Sequence, residues 1–310
     1  MAEADEPTGK GLLRHVRDGH AGDMTHDAAV QVRDLHKHYG SLHAVDGVDL
    51  AIQRGETFAL LGPNGAGKST TIEILEGYRR RTSGVVSVLG TDPDHGDLGW
   101  KARLGIVGQS TVESDRATVR DLLTLTRGLY PDPREVDEVI ASVGLEAKAG
   151  ARCDKLSGGQ RRRLDVAMGV IGRPELLFLD EPTTGFDPEA RREFWQLVHS
   201  LKDGGTTIIL TTHYLDEAAE LADRVGIITG GRLLDVGAVD EIGGADARRP
   251  FVRWRAADGE RRTVLTDTPA AVVAEIVAHT GGEPRDLEVI RPSLEDIYLS
   301  MISDNAKDAA

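Results

Sequence analysis

A glycine-rich segment, residues 62–70, places the tightest limit on what this chain can fold into. It reads GPNGAGKST and matches the pattern G-x-x-x-x-G-K-[ST]. The preceding TFALL is a continuous apolar run typical of a buried strand, and the following TTIEILEGY is predicted to be helical. Glycines between a buried strand and a helix allow successive backbone N–H groups to surround an anion. The segment therefore predicts a strand–loop–helix unit that binds a polyphosphate.

Two side chains of this loop have predicted chemical roles. We expect Lys68 to reach the β- and γ-phosphates of a nucleotide and the Ser69 hydroxyl to bind Mg²⁺. A chance glycine-rich turn is the alternative, but it does not account for the strand before the loop and the helix after it. The other predicted nucleotide-binding positions of the loop are Gly62, Pro63, Asn64, Gly65, Ala66, Gly67 and Thr70.

Two adjacent carboxylates follow a second buried strand, in the run LLFLDEP. We expect Asp180 to hold Mg²⁺ through water and Glu181 to act as the general base that polarises the attacking water. The alternative is an acidic N-cap for the following helix, and Pro182 fits both interpretations.

A helix that opens on two glycines is the second unusual feature. The run LSGGQ, residues 156–160, precedes apolar residues at helical spacing, so a helix is predicted to begin near Ser157. Ser157 and Gln160 have the spacing of a capping box, which explains these two residues but not Gly158 and Gly159. Glycines at a helix N-terminus leave N–H donors accessible to an anion, which favours a second phosphate-binding element.

Alternating buried strands and helices from residue 29 onward predict an α/β core with a mostly parallel sheet. Residues 110–170 are predicted to be mainly helical, and RVGIITGGRLLDVG is predicted to be a hairpin. The predicted organisation is a disordered tail (1–27), a main domain (28–243), a small α+β domain (244–303) and a short tail (304–310). In the small domain the predicted order is ββαβα, with the hairpin turning at Asp258 and Gly259.

Composition limits the location and partners that we expect. The net charge is −14, which argues against general binding to nucleic acid or anionic lipid. No signal peptide or membrane-spanning run is evident, and the single cysteine, Cys153, fits a reducing compartment, so a cytoplasmic chain is expected. Met24 lies just before the first strand pattern and is an alternative start.

Taken in order, GPNGAGKST, LSGGQ and LDEPTTGFDP resemble the ATP-binding subunit of an ABC transporter, over about residues 29–240. The resemblance implies a P-loop NTPase fold of the ABC type, with an antiparallel β subdomain and a helical subdomain that carries LSGGQ, the signature motif. It implies ATP and Mg²⁺ as cofactors and ATP hydrolysis coupled to transmembrane transport. It also implies a homodimer or a paired ATPase subunit, and a separate integral-membrane permease that holds the dimer at the inner face of the membrane.

The resemblance also assigns roles to single residues. It implies that Tyr39 stacks on adenine, that Gln109 lies near Mg²⁺ and the membrane partner, and that His213 contacts the γ-phosphate. Asp187 is placed in the loop that crosses between subunits. Ser157, Gly158, Gly159 and Gln160 are expected to contact the ATP bound by the other subunit. Phe186 departs from the family, which usually has leucine there, and the stretch after Gln109 is not distinctive.

The C-terminal run RPSLEDIYLSMI resembles ATPase subunits of ABC-2-type exporters, such as the daunorubicin-resistance group. The main alternative is an importer ATPase. A DNA-repair or chromosome ATPase would carry sustained heptads or a cysteine cluster between the P-loop and the signature, and a translation-factor relative would carry two ATPase halves. The small C-terminal domain is rich in arginine, and this cluster is either a solvated face or a docking surface for a partner or lipid headgroups: 248, 249, 253, 255, 261 and 262.

Overall fold

The computed structural model describes residues 28–108, 116–256, 258–280, 282 and 284–308. The predicted tail 1–27, with Met24, and the predicted site residue Gln109 lie outside these residues. The strands are β1 (Ala28–Tyr39), β2 (Leu42–Gln53), β3 (Thr57–Leu61), β4 (Ser83–Val88), β5 (Leu104–Val107), β6 (Leu176–Asp180), β7 (Thr207–Thr212), β8 (Arg224–Thr229), β9 (Arg232–Ala238), β10 (Phe251–Arg255), β11 (Arg261–Leu265) and β12 (Arg285–Ile290). The α-helices are α1 (Lys68–Leu75), α2 (Leu98–Lys101), α3 (Val119–Arg127), α4 (Val136–Ser142), α5 (Gly158–Val170), α6 (Pro188–Asp203), α7 (Leu215–Leu221), α8 (Gly244–Ala247), α9 (Pro269–Thr280) and α10 (Leu294–Asp308).

A six-stranded sheet with the order β5-β6-β7-β3-β8-β9 forms the centre of the fold. Its first five strands run parallel, and β9 pairs antiparallel with β8 in the predicted hairpin. Every residue of β3 and β7 is buried, which explains why their apolar residues are contiguous, FALL in β3 and IIL in β7, and do not alternate with exposed polar ones. The predicted α/β fold with a mostly parallel core sheet is confirmed.

Two smaller antiparallel sheets flank this core. One has the order β2-β1-β4, and the other, near the C-terminus, has the order β11-β10-β12. Helices α3, α4 and α5 follow one another in the described part of the region predicted to be helical, and together they bury Leu123, Ile140 and Leu164. Strands β5 and β6 are therefore separated along the chain by a mainly helical segment, where the sequence predicts one.

The arginine-rich C-terminal segment is largely neutralised by ion pairs. Arg248 differs from its neighbours because it donates to the backbone carbonyls of Val239 and Ile242. Other arginines of this segment form ion pairs with carboxylates: Arg249 with Asp267, Arg253 with Glu288, Arg255 with Asp286 and Arg262 with Asp258. Exposed pairs of this kind contribute little stability but cancel the positive field, which favours the solvated-face interpretation over an anionic docking partner.

The last helix packs against the main part of the chain, a contact that the sequence does not predict. Leu294 belongs to the same buried cluster as Ala218 and Leu221 of α7. Ile297 is 1% exposed, and a Cβ on Gly243 would lie 2.5 Å from its Cγ2 atom. The helix also continues through Asp308, into the predicted tail, because residues 304–308 contain no glycine or proline to end it. The division at residues 243/244 stays a prediction.

This packing predicts unequal effects for two alanine substitutions in α10. Ile297→Ala should lower the free energy of unfolding by about 2–4 kcal/mol, because it removes a fully buried side chain. Leu299→Ala is the matched control, since Leu299 is 53% exposed, and it should cost less than about 0.5 kcal/mol. Urea unfolding of both variants measures the difference. Equal costs would show that α10 does not pack on the rest of the chain in solution.

Candidate functional site

The carboxyl ends of three neighbouring strands bring the predicted catalytic residues to one edge of the central sheet. In the order β6-β7-β3, Asp180 ends β6, His213 follows β7, and the glycine-rich loop follows β3. Adjacent parallel strands place their carboxyl ends side by side, and this edge is where open α/β sheets bind ligands. The topology therefore assembles one site from three segments that are far apart in the sequence.

The loop after β3 holds Lys68 close to its own backbone. The Lys68 ammonium donates to the carbonyls of Gly62 at 2.7 Å and Pro63 at 3.1 Å, and the residue is 6% exposed. Burial lowers the pKa of Lys68, and the nearby carboxylates of Glu181 and Asp180 oppose that shift. Gly67 lies in the left-handed region, with φ +106°, and a Cβ there would lie 2.4 Å from the carbonyl oxygen of Ala44. Glycine at this position is therefore a steric requirement.

Two of the three residues predicted at the Mg²⁺ site, Ser69 and Asp180, face the same cavity, of about 390 Å³. Ser69 and Asp180 line it, and Asp180 Oδ1 accepts a hydrogen bond from the Thr211 hydroxyl. Gly108, which precedes the undescribed Gln109, also lines the cavity. Glu76 adds a further carboxyl that the sequence analysis missed. Burial, with the charges of Asp180 and Glu73, raises the pKa of Glu76 to about 8, so this carboxyl is mostly neutral at pH 7.

Glu181 and His213, predicted to be the general base and a contact of the γ-phosphate, lie close together. Glu181 Oε1 lies 3.4 Å from His213 Nδ1, and Glu181 Oε2 accepts a hydrogen bond from the Thr184 hydroxyl at 3.3 Å. The backbone of Glu181 is in the left-handed region, with φ +44°, and its N–H donates to the Thr211 carbonyl at 3.0 Å. A non-glycine residue held in this conformation is strained, and such strain is common at functional sites.

The capping box at the start of α5 is present. The Ser157 hydroxyl accepts from the Gln160 N–H at 3.3 Å, and Gln160 Oε1 accepts from the Ser157 N–H at 3.2 Å. A Cβ on Gly158 would meet nothing within 4 Å, and one on Gly159 would lie 3.6 Å from Ala190 Cβ. Neither glycine is therefore required by packing within the described chain. The capping box explains Ser157 and Gln160 but leaves the two glycines unexplained.

A groove between α5 and the segment after β6 is lined by Gly158, Glu181 and Phe186. Phe186 packs edge-on against Phe194, with the ring centroids 5.8 Å apart. The phenylalanine that stands where the family usually has leucine is therefore held by a contact within its own chain. Asp187 caps α6 by accepting from the N–H groups of Glu189 at 3.0 Å and Ala190 at 2.9 Å. Within one chain Asp187 is therefore a helix cap, and its predicted contact with a second subunit stays a prediction.

Tyr39 is the last residue of β1 and is 41% exposed, so its ring is accessible to a planar ligand. Two cationic groups lie near the ring centroid: the Lys37 ammonium at 4.9 Å and the Arg79 guanidinium carbon at 5.5 Å. This combination of an exposed ring and positive charge suits a purine that carries phosphates.

Tyr39→Ala should weaken the binding of ATP and GTP alike, by about 1–3 kcal/mol, because a stacked ring supports any purine. Tyr39→Phe keeps the ring and should bind both nucleotides nearly as the wild type does. Fluorescence titration with labelled ATP and GTP measures both variants. A loss confined to ATP would show that hydrogen bonds elsewhere read the base.

Arg162 is a buried residue at the site that the sequence analysis missed. It is 6% exposed and donates to the backbone carbonyls of Pro182 at 3.0 Å, Asp180 at 2.7 Å and Gly108. It therefore links α5 directly to the segments that carry the predicted metal and base residues. It stands in a run of three arginines, and its neighbours point elsewhere, Arg161 to the Cys153 carbonyl and Arg163 to Glu193. The sequence alone carries no signal that separates the three.

Within the described residues, none of the helices has the length and apolar character needed to cross a bilayer.

Comparison with known proteins gives relatives along almost the whole chain. Residues 45–184 match the family model for ABC transporters. A daunorubicin resistance ATP-binding protein of Streptomyces coeruleorubidus is 35% identical and matches 92% of this chain and 99% of its own length. Nod factor export ATP-binding protein I of Rhizobium leguminosarum bv. viciae is 36% identical, with 92% and 97% covered.

Solved structures share the fold. One structure of the ATP-binding subunit of an ABC transporter superposes with a TM-score of 0.65 over 88% of this chain and 99% of its own, at 23% identity. A second, from Clostridium perfringens, is part of an ABC transporter complex and gives a TM-score of 0.62 at 28% identity. It covers 68% of this chain and 89% of that one.

Proposed function

Because the chain belongs to the ABC transporter family of ATP-binding proteins, we propose that it is the ATPase subunit of an exporter. ATP hydrolysis by this chain drives a drug, lipid or similar compound through a separate integral-membrane permease. The chain lies on the cytoplasmic face of the membrane through contact with that permease. The observation that carries the hydrolytic part is the convergence of Lys68, Asp180, Glu181 and His213 at one edge of the sheet.

Hydrolysis follows from the chemistry of these side chains. Lys68 neutralises charge on the β- and γ-phosphates, while Glu181 orients the attacking water and accepts its proton. His213, 3.4 Å from Glu181, holds that carboxylate and contacts the γ-phosphate. The hydroxyl of Ser69 and the carboxylate of Asp180 are hard oxygen donors in one cavity, which suits Mg²⁺. Ser69 and Asp180 would hold this ion, and its charge would neutralise the negative charge that develops on the phosphates.

The two glycines of α5 support a dimer. A helix N-terminus with accessible N–H groups binds anions, and nothing in the described chain occupies the space next to Gly158. We propose that this N-terminus contacts the γ-phosphate of ATP bound by a second subunit in head-to-tail pairing. Each chain then supplies two half-sites, and closure of the dimer on ATP moves the permease.

The export direction rests on the named relatives, which act in daunorubicin resistance and Nod factor export. An importer ATPase is the second candidate, because the ATP-binding residues would be the same in both directions. The experiment is to purify the tagged chain from its native membranes and to identify the permease that accompanies it. A six-helix permease without a solute-binding protein is expected. Recovery of a permease that depends on a binding protein would assign the chain to an importer, and recovery of no permease would contradict the transport role.

A further inference from the structure

A cluster of histidines and aspartates lies on one face of the hairpin formed by β1 and β2. The two strands pair antiparallel, with His36 opposite Asp46 and His38 opposite His43. Residues two apart on a strand share a face, so His36 and His38 project on the same side. One donor atom from each of His36, His38 and Asp46 can be chosen so that all three lie within 4.8 Å of one another.

The contacts of His36 have the arrangement found around metal-binding histidines. Its Nε2 lies 2.9 Å from Asp34 Oδ1, and its Nδ1 lies 3.2 Å from Asp46 Oδ1. If Nε2–H donates to Asp34, Nδ1 keeps a lone pair beside a carboxylate oxygen, and a metal ion bound by both atoms would relieve the repulsion between these two acceptors. At a tetrahedral zinc, nitrogen and oxygen ligands are roughly 3.3–3.5 Å apart, close to the distance seen here.

His38 supplies a second nitrogen that lacks a partner. Its Nε2 atom is buried and makes no hydrogen bond with the described residues. Its ring stacks on that of His43 with the centroids 3.9 Å apart and the planes 14° apart. This stacking restrains the orientation of the His38 ring.

Asp46 is oriented by an arginine. Arg232 donates to Asp46 Oδ2 from Nε at 2.8 Å and from Nη2 at 2.6 Å, which leaves Oδ1 directed at His36. The partner that orients the ligand is thus already in place.

We propose that His36, His38 and Asp46 bind a divalent transition-metal ion of the zinc class. This site is separate from the Mg²⁺ site at Ser69 and Asp180, since two imidazoles with one carboxylate suit zinc-class ions and hard oxygen donors suit Mg²⁺. Strand β1 ends in Tyr39, one residue after His38, so a bound ion would restrain the strand that carries the exposed ring.

The test is calorimetric titration of the untagged full-length chain with Zn²⁺, without nucleotide and with excess Mg²⁺. One equivalent should bind, and His36→Ala and His38→Ala should each weaken binding by about tenfold or more. His199→Ala is the matched control, because His199 lies 3.6 Å from Glu220, a carboxylate outside the cluster. A triple alanine variant at His15, His20 and His26 controls for binding by the N-terminal segment. Both controls should bind as the wild type does.

The visible absorption of bound Co²⁺ gives a second, independent measurement of the site. Co²⁺ in place of Zn²⁺ should give the intense visible absorption of a tetrahedral ion in the wild type and the controls, and this band should be lost in His38→Gln. Circular dichroism in the presence of a chelator verifies that each variant is folded. Unchanged zinc affinity in His36→Ala and His38→Ala would overturn the proposal, as would no binding by the wild type.

Discussion

Replacing Glu181 by glutamine should lower ATP turnover by roughly 100-fold or more, while ATP affinity stays close to that of the wild type. Glutamine has nearly the same shape, but its amide cannot accept a proton from the attacking water. The residues proposed to bind the phosphates are Lys68 and the loop around it, and the Lys68 ammonium donates to the carbonyls of Gly62 and Pro63, not to Glu181. The loss should therefore appear in kcat, with ATP binding preserved.

Steady-state ATPase assays and equilibrium ATP binding measure the two quantities separately. Glu189→Gln is the matched control, because Glu189 is an exposed glutamate on the neighbouring helix, and its turnover should be unchanged. Turnover within a few-fold of the wild type in Glu181→Gln would remove Glu181 from the proposed mechanism.

Arg162→Met should lower the free energy of unfolding by about 3 kcal/mol, in the range for removing a buried charged partner. The substitution leaves three backbone carbonyls without their donor and removes the positive charge beside buried Asp165. Arg192→Met, at an exposed position of α6, should change the free energy of unfolding by less than about 0.5 kcal/mol.

The same variant separates a role in positioning from a role in stability alone. Below the unfolding transition, folded Arg162→Met should bind ATP normally but hydrolyse it more slowly, because α5 is no longer tied to the segments that carry Asp180 and Gly108. Arg162→Lys should recover part of the turnover. Wild-type kcat in folded Arg162→Met would show that Arg162 serves the packing of the core only.

The sequence was sufficient to predict the central sheet and the phosphate loop for local reasons. The loop needs glycine where the backbone takes φ +106° beside the Ala44 carbonyl, and the fully buried strands need contiguous apolar residues, FALL in β3 and IIL in β7. Such requirements act on adjacent residues and leave patterns in the sequence. The capping box of Ser157 and Gln160 was predictable for the same reason.

The features that could not be predicted depend on contacts between distant segments. Nothing in a run of three arginines indicates that Arg162 alone turns inward, because that depends on where the carbonyl of Pro182 lies. The pairing of His36 with Asp46 depends on the register of β1 and β2, which includes several irregularities. The contact between Ile297 and Gly243 likewise depends on where α10 packs on the rest of the chain, which no local sequence pattern indicates.

In the proposed mechanism one complete ATP site needs two chains, and cross-linking between chains tests this requirement. All chains carry Cys153→Ala, which removes the only native cysteine, and Glu181→Gln, which traps ATP. One chain also carries Asn64→Cys and the other Ser157→Cys, both at exposed positions. Because each chain holds a single cysteine, a short thiol cross-linker cannot join the two positions within one chain.

If subunits pair head to tail, mixing the two chains with ATP should give a covalent heterodimer, and samples without ATP should give little. A partner with Leu129→Cys should not cross-link to Asn64→Cys, because Leu129 is 78% exposed but follows α3 and does not belong to the signature motif. We expect an ATP-dependent heterodimer only when Asn64→Cys is paired with Ser157→Cys. If bound ATP is verified and that pair gives no more heterodimer than the Leu129 pair, the composite site is contradicted, and Gly158 and Gly159 need another explanation.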